Sequence, residues 1–127
     1  MAKILVVDDN SISQRLLSFI LQQGDHTVVT AINGVQAIEQ LKEADVDLVL
    51  TDLMMPKMDG LTLIEHLRAD ERYKNLPVIA LTASVKEQHY SRARAAGVNA
   101  LLTKPIESEV IIDIVNRLVT QKHAFTA

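Results

Sequence analysis

The chain has 127 residues, a formal net charge of -3 and no cysteine. At that length a single domain buries most of the apolar surface its unfolded form exposes, so one compact unit is expected. Disulfides, thiolate metal sites and cysteine nucleophiles are excluded, and the slight acidic balance gives no general attraction to nucleic acid.

Hydrophobic residues make up 48% of the chain and aromatics only 3%, which implies a core of Val, Ile, Leu, Ala and Met. No apolar run reaches the roughly 18 residues of a membrane span, and the start, Met-Ala-Lys-Ile-Leu-Val-Val, lacks the long apolar segment of a signal peptide. A cytoplasmic protein with no membrane partner and no direct nucleic-acid partner is expected.

Lys3 to Val7 is a continuous apolar run, the pattern of a strand buried on both faces, and it ends in Asp8-Asp9. Asn10 or Ser11 caps a helix in which Ile12, Leu16, Phe19 and Ile20 share a face, and Gly24 closes it. Thr27 to Ala31 is a second strand, and Asn33 with Gln36 resembles a capping box for the helix of Val35, Ile38 and Leu41. Asp47 to Asp52 is a third strand, stopped by Pro56 and by the Asp59-Gly60 turn that opens the helix of Leu61, Ile64 and Leu67. Pro77 to Leu81 is a fourth strand ending in Thr82-Ala83-Ser84. Val85 to Ala96 reads as a polar, alanine-rich helix stopped by Gly97. Asn99 to Thr103 forms a fifth strand running into Lys104-Pro105, and Glu107 to Gln121 the last helix. Residues 1–121 are therefore read as the domain and 122–127 as a short unstructured tail.

Strands alternating with helices imply right-handed crossovers and a parallel sheet with helices on both faces. In such a sheet Asp8, Asp9, Asp52, Thr82 and Lys104 all gather at the carboxyl ends of the strands, where open α/β sheets bind ligands. Carboxylates brought together repel one another, and a cation resolves the conflict. Carboxylate oxygens, a backbone carbonyl and waters make an all-oxygen site that selects Mg2+ or Mn2+. Lys104 adds a positive charge and Thr82 a hydroxyl donor. Such groups around one carboxylate suit phosphoryl transfer with Asp52 as nucleophile.

Four ordered stretches, Val-Val-Asp-Asp-Asn at 6–10, Leu-Thr-Asp-Leu-Met-Met-Pro-Lys-Met-Asp-Gly at 50–60, Ala-Leu-Thr-Ala at 80–83 and Thr-Lys-Pro at 103–105, resemble the response regulator receiver domain of two-component signalling. The likeness extends from Lys3 to about Gln121. It implies a flavodoxin-like sheet of order 2-1-3-4-5, and Asp52 as phosphoacceptor. It further implies Asp9 as a direct magnesium ligand, Asp8 acting mostly through water, the Met54 carbonyl as a ligand, Lys104 pairing with the phosphoryl group and Thr82 moving toward it. A cis bond before Pro105 is implied as well. The implied phosphodonor is a phosphohistidine on a sensor histidine kinase or a histidine phosphotransfer protein. The implied readers are a downstream target, an output domain or a second copy of the chain.

Two positions depart from or tune that pattern. Where these domains usually carry Tyr or Phe, three residues before Lys104, this chain has Leu101, so weaker transmission to the output face is expected. Two residues after Asp52 stands Met54, which cannot orient water by hydrogen bonding, so slow self-dephosphorylation is expected.

Blander readings exist for each residue. Asp8 and Asp9 suit a helix start as capping acids, Thr82 a capping role and Lys104 a solvated surface. An interaction module that never accepts phosphate and an aspartyl-phosphate phosphatase are the competing functions. His26, His66, His89 and His123 have no ligand spacing and read as surface residues. Arg68, Arg72, Arg92 and Arg94 read as solvated helix faces. Ile112 lies off the core stripe of the last helix, so it is expected to face solvent or a partner. Ile12, Leu16 and the residues near Asn10 are candidates for contact with the phosphodonor.

Overall fold

The computed structural model describes residues 2–53, 55, 58–83 and 87–126, with the side chains of residues 87 and 121–126 left aside. The strands are β1 (Lys3–Val7), β2 (Thr27–Ala31), β3 (Leu48–Asp52), β4 (Val78–Thr82) and β5 (Ala100–Thr103). The helices are α1 (Ser11–Gln23), α2 (Gly34–Glu43), α3 (Gly60–Ala69), α4 (Glu87–Ala96) and α5 (Ser108–Thr126). The strands form one parallel sheet in the order β2-β1-β3-β4-β5.

Strand alternation divides the core into two layers. Leu5 and Val7 point with Val49, Val78 and Ala80 toward Ala37 and Leu41 of α2, Leu63, Ile64 and Leu67 of α3, and Ala93 of α4. Ile4 and Val6 point with Leu48, Leu50, Ile79 and Leu81 toward Leu17, Ile20 and Leu21 of α1 and Ile111, Val115 and Val119 of α5. Both faces of β1, β3 and β4 are thus covered, which is why their sequences read as unbroken apolar runs.

The helix starts follow the expected chemistry. Asn10 Oδ1 accepts from Ser13 N, and Asn33 Oδ1 from Gln36 N. The Gln36 side chain reaches back to Ile32 N, one residue before the cap. Asp59 Oδ1 accepts from Thr62 N to open α3.

Five expectations are corrected by the packing. On α1 the sheet takes the stripe of Leu17, Ile20 and Leu21, while Ile12, Leu16 and Phe19 are 77%, 59% and 59% exposed. Both stripes are apolar, so spacing alone does not choose between them. His26 is buried: its Nδ1 accepts from Ala2 N and its Nε2 bonds Asn116 Oδ1, tying the sheet's lower edge to α5. Arg68 is likewise no solvated side chain. It donates to the carbonyls of Gly97, Tyr73 and Leu76 and to Asn99 Oδ1, and burial pulls its guanidinium below the usual arginine range.

Ile112 is half-buried and packs toward Gly24, because α5 lies against α1 as well as the sheet. Finally, the backbone of α5 continues to Thr126 rather than stopping at Gln121, since no Gly or Pro interrupts that stretch. Arg72, Arg92, Arg94 and His66 are exposed as expected. The side chain of His123 lies outside the described residues.

Candidate functional site

Because every strand runs the same way, the residues that end β1, β3, β4 and β5 arrive at one edge of the sheet. Asp52 closes β3 and Thr82 closes β4. Asp8 and Asp9 follow β1, and Lys104 follows β5. Register holds them level: Val7 pairs with Thr51, Asp52 with Leu81, and Thr82 with Thr103.

The turn after β1 aims Asp8. Its backbone N–H donates to the Ala31 carbonyl, and its Oδ1 accepts from Asn10 N. Gln14 donates to the carbonyls of Asp8 and Ala31, clamping the ends of β1 and β2 together. One Asp8 oxygen is thereby committed to the turn. The other, Oδ2, is buried without a hydrogen bond among the described residues, and Lys104 Nζ stands 3.7 Å from it.

Lys104 reaches across the edge and donates to Asp52 Oδ2 at 3.0 Å. Burial pulls its ammonium down, but the hydrogen bond and charge of Asp52, with Asp8 behind, more than offset this and hold it above the ordinary lysine range. The Lys104 backbone N–H donates to the Thr82 carbonyl, and the Lys104–Pro105 peptide is cis.

One carboxylate oxygen from each of Asp8, Asp9 and Asp52 lies within 4.8 Å of the other two. Asp8 is buried, Asp52 half-buried and Asp9 exposed. A buried carboxylate oxygen with no hydrogen-bond donor is costly, and a hard cation held among three carboxylates satisfies it. The donor set is all oxygen, so the residues fit a magnesium-type ion. Met54 and Ser84 lie outside the described residues.

The edge is tightly built on its backbone side. Gly60 N donates to the Leu53 carbonyl, and a Cβ at Gly60 would stand 2.3 Å from the Asp52 carbonyl oxygen and 2.8 Å from Leu53 Cα. Real side chains do not approach backbone so closely, so only glycine lets α3 start directly against the strand end that carries Asp52. The sequence marks Gly60 as a turn residue; its closeness to Asp52 is set by how α3 packs on the end of β3.

The structure thus brings together Asp8, Asp9, Asp52, Thr82 and Lys104. Sequence reasoning missed Tyr90, whose hydroxyl bonds Thr103 Oγ1 beside Lys104. Nothing in the spacing of α4 singles it out.

Comparison with known proteins gives a consistent picture. A family model described as the response regulator receiver domain matches residues 4–116. The chemotaxis protein CheY-3 of Vibrio cholerae is 37% identical over 117 residues, 91% of this chain and 90% of that protein. The hybrid signal transduction histidine kinase D of Dictyostelium discoideum is 38% identical over 95% of this chain, which spans only 8% of that much longer protein. The receiver domain of a sensor histidine kinase from Pseudomonas aeruginosa PAO1, solved with magnesium coordinated in its active-site cleft, superposes with a TM-score of 0.87. It is 28% identical and covers 94% of this chain and 98% of that one.

Proposed function

The chain belongs to the response regulator receiver domain family of two-component signalling, and from that premise we propose that Asp52 accepts a phosphoryl group in a magnesium-dependent transfer from phosphohistidine. The observation that carries this reading is the contact of Lys104 Nζ with Asp52 Oδ2 beside the Asp8–Asp9–Asp52 cluster.

A carboxylate oxygen of Asp52 attacks phosphorus as the donor's N–P bond breaks. The new bond is a mixed anhydride, and the electron pair of the broken bond stays on the imidazole nitrogen. Lys104 places positive charge where the phosphoryl oxygens gather, and the buried Thr82 offers a hydroxyl at the neighbouring strand end. Asp9 and Asp52, with Asp8 through water and the Met54 carbonyl, are the residues that would hold Mg2+, or Mn2+ in its place. The bound ion supplies charge neutralisation at the phosphoryl oxygens.

The donor is a sensor histidine kinase or a histidine phosphotransfer protein. The exposed apolar stripe of Ile12, Leu16 and Phe19 begins next to Asp9 and suits it as a docking surface. Residues 1–121 act as the receiver unit in the cytoplasm. No described helix is long and apolar enough to cross a membrane. The surface of α4, β5 and α5 faces the downstream target, the output domain or a second copy of the chain.

Incubation with magnesium and a small acyl phosphate, followed by mass measurement, tests the reading. One added phosphoryl group is expected, absent in Asp52→Asn. Failure of the wild type to take up phosphate would favour an interaction module that is never phosphorylated.

A further inference from the structure

Tyr90 is half-buried on α4, and its hydroxyl bonds Thr103 Oγ1 at 2.5 Å on the last residue of β5. Thr103 is one peptide from Lys104 and pairs in register with Thr82, and the Lys104 N–H donates to the Thr82 carbonyl. The path from helix to site is therefore short. It runs from Tyr90 through Thr103 to Lys104, whose ammonium bonds Asp52.

Strand alternation puts Thr103 on the same face of β5 as Leu101, the face turned toward α3 and α4. Leu101 packs there by contact alone, without a polar group to bond either partner. From α4, the Tyr90 hydroxyl makes a polar bond to β5. A phenolic hydroxyl on a threonine hydroxyl is directional, and it breaks over a displacement that an apolar contact tolerates.

We infer that Tyr90 and Thr103 form a latch holding α4 in its resting position while Lys104 sits on the unmodified Asp52. The inference rests on Asp52 being the phosphoacceptor. New phosphoryl oxygens on Asp52 draw Lys104 to a different position, the adjoining Thr103 moves with it, and the bond to Tyr90 gives way. By reciprocity, whatever releases α4 favours the occupied site.

The test uses the full chain with magnesium and beryllofluoride, a phosphoryl mimic, and follows backbone amide resonances of α4 and of the strand ends. In the ligand-free state, Tyr90→Phe and Thr103→Val are expected to move α4 resonances part of the way along the line joining wild-type free and bound positions. Both variants should bind the mimic about fivefold more tightly, the ratio that one neutral hydrogen bond supports. The double variant should match either single one. Tyr90→Phe keeps the ring, so folding is preserved, and a melting curve checks it.

Unchanged affinity in the variants, whatever happens to α4, overturns the latch and leaves the phosphoacceptor reading standing. If wild-type resonances at Asp52 and Lys104 ignore the mimic, the phosphoacceptor reading falls, and the latch with it.

Discussion

Lys104 Nζ lies 3.0 Å from Asp52 Oδ2 and 3.7 Å from Asp8 Oδ2, so one ammonium serves two carboxylates at the carboxyl edge of the sheet. In metal-free protein this pairing carries a pH signature. The folded state holds Lys104 above its ordinary value, so its contribution to stability is fully present below the ordinary lysine range. It is lost as pH rises through the higher folded value. Denaturant titrations in chelator are expected to show wild type converging on Lys104→Met only in strongly alkaline solution.

Magnesium should act in the opposite sense to chelation. A ligand that binds only the folded chain stabilises it by about 1.4 kcal/mol at ten times its dissociation constant. Asp9 is exposed and belongs to the acidic cluster. Asp9→Asn is expected to remove most of the magnesium-induced rise in melting temperature, while the metal-free variant equals or exceeds wild type because like charges no longer crowd. Thermal melts across a magnesium series check both parts.

Gly60→Ala places a methyl group against the Asp52 carbonyl and Leu53 Cα. Backbone on both sides leaves little room to relax, so a loss of about 1–3 kcal/mol in folding stability is expected from overpacking. The strand end moves with it. Phosphorylation by a small acyl phosphate should therefore slow even at temperatures where the variant remains folded, which a rate measurement beside a melting curve would reveal.

Arg68 joins α3 to the loop before β4, to the end of α4 and to the start of β5. Gly97, which it contacts, has a φ of 107°, a left-handed conformation that suits glycine. Arg68→Ala takes this donor from the carbonyls of Gly97, Tyr73 and Leu76, while Asn99 Oδ1 keeps the Val78 N–H, and is expected to cost about 2–4 kcal/mol. Arg68→Lys should recover only part of this, since one ammonium lacks the planar fork that spans these acceptors. Equilibrium denaturation of the three proteins measures the order.

The exposed stripe on α1 allows docking and chemistry to be tested apart. Leu16→Ser with Phe19→Ser alters two side chains that are each 59% exposed, so stability should hardly change. Transfer from a phosphohistidine donor is expected to slow about tenfold or more, the scale of losing an apolar anchor. Uptake from a small acyl phosphate should be unaffected. Equal slowing with both donors would count against α1 as the docking helix.

The sequence by itself determined the element order, the parallel sheet and the gathering of Asp8, Asp9, Asp52, Thr82 and Lys104 at one edge. Strand periodicity and crossover handedness leave little freedom once apolar runs alternate with helical patterns. Capping by Asn10, Asn33 and Asp59 was equally legible, because a side chain three residues from the N–H it accepts is a local event.

What only the tertiary structure decided involved partners far apart in the chain. The two apolar stripes of α1 differ in burial because docking on the sheet selects one of them. His26 and Arg68 looked solvated because the groups that satisfy them include Asn116 and Asn99, which stand 90 and 31 residues away. Tyr90 reaches Thr103 only because α4 folds back over β5. Such pairings depend on how finished elements pack, and neither periodicity nor composition encodes that.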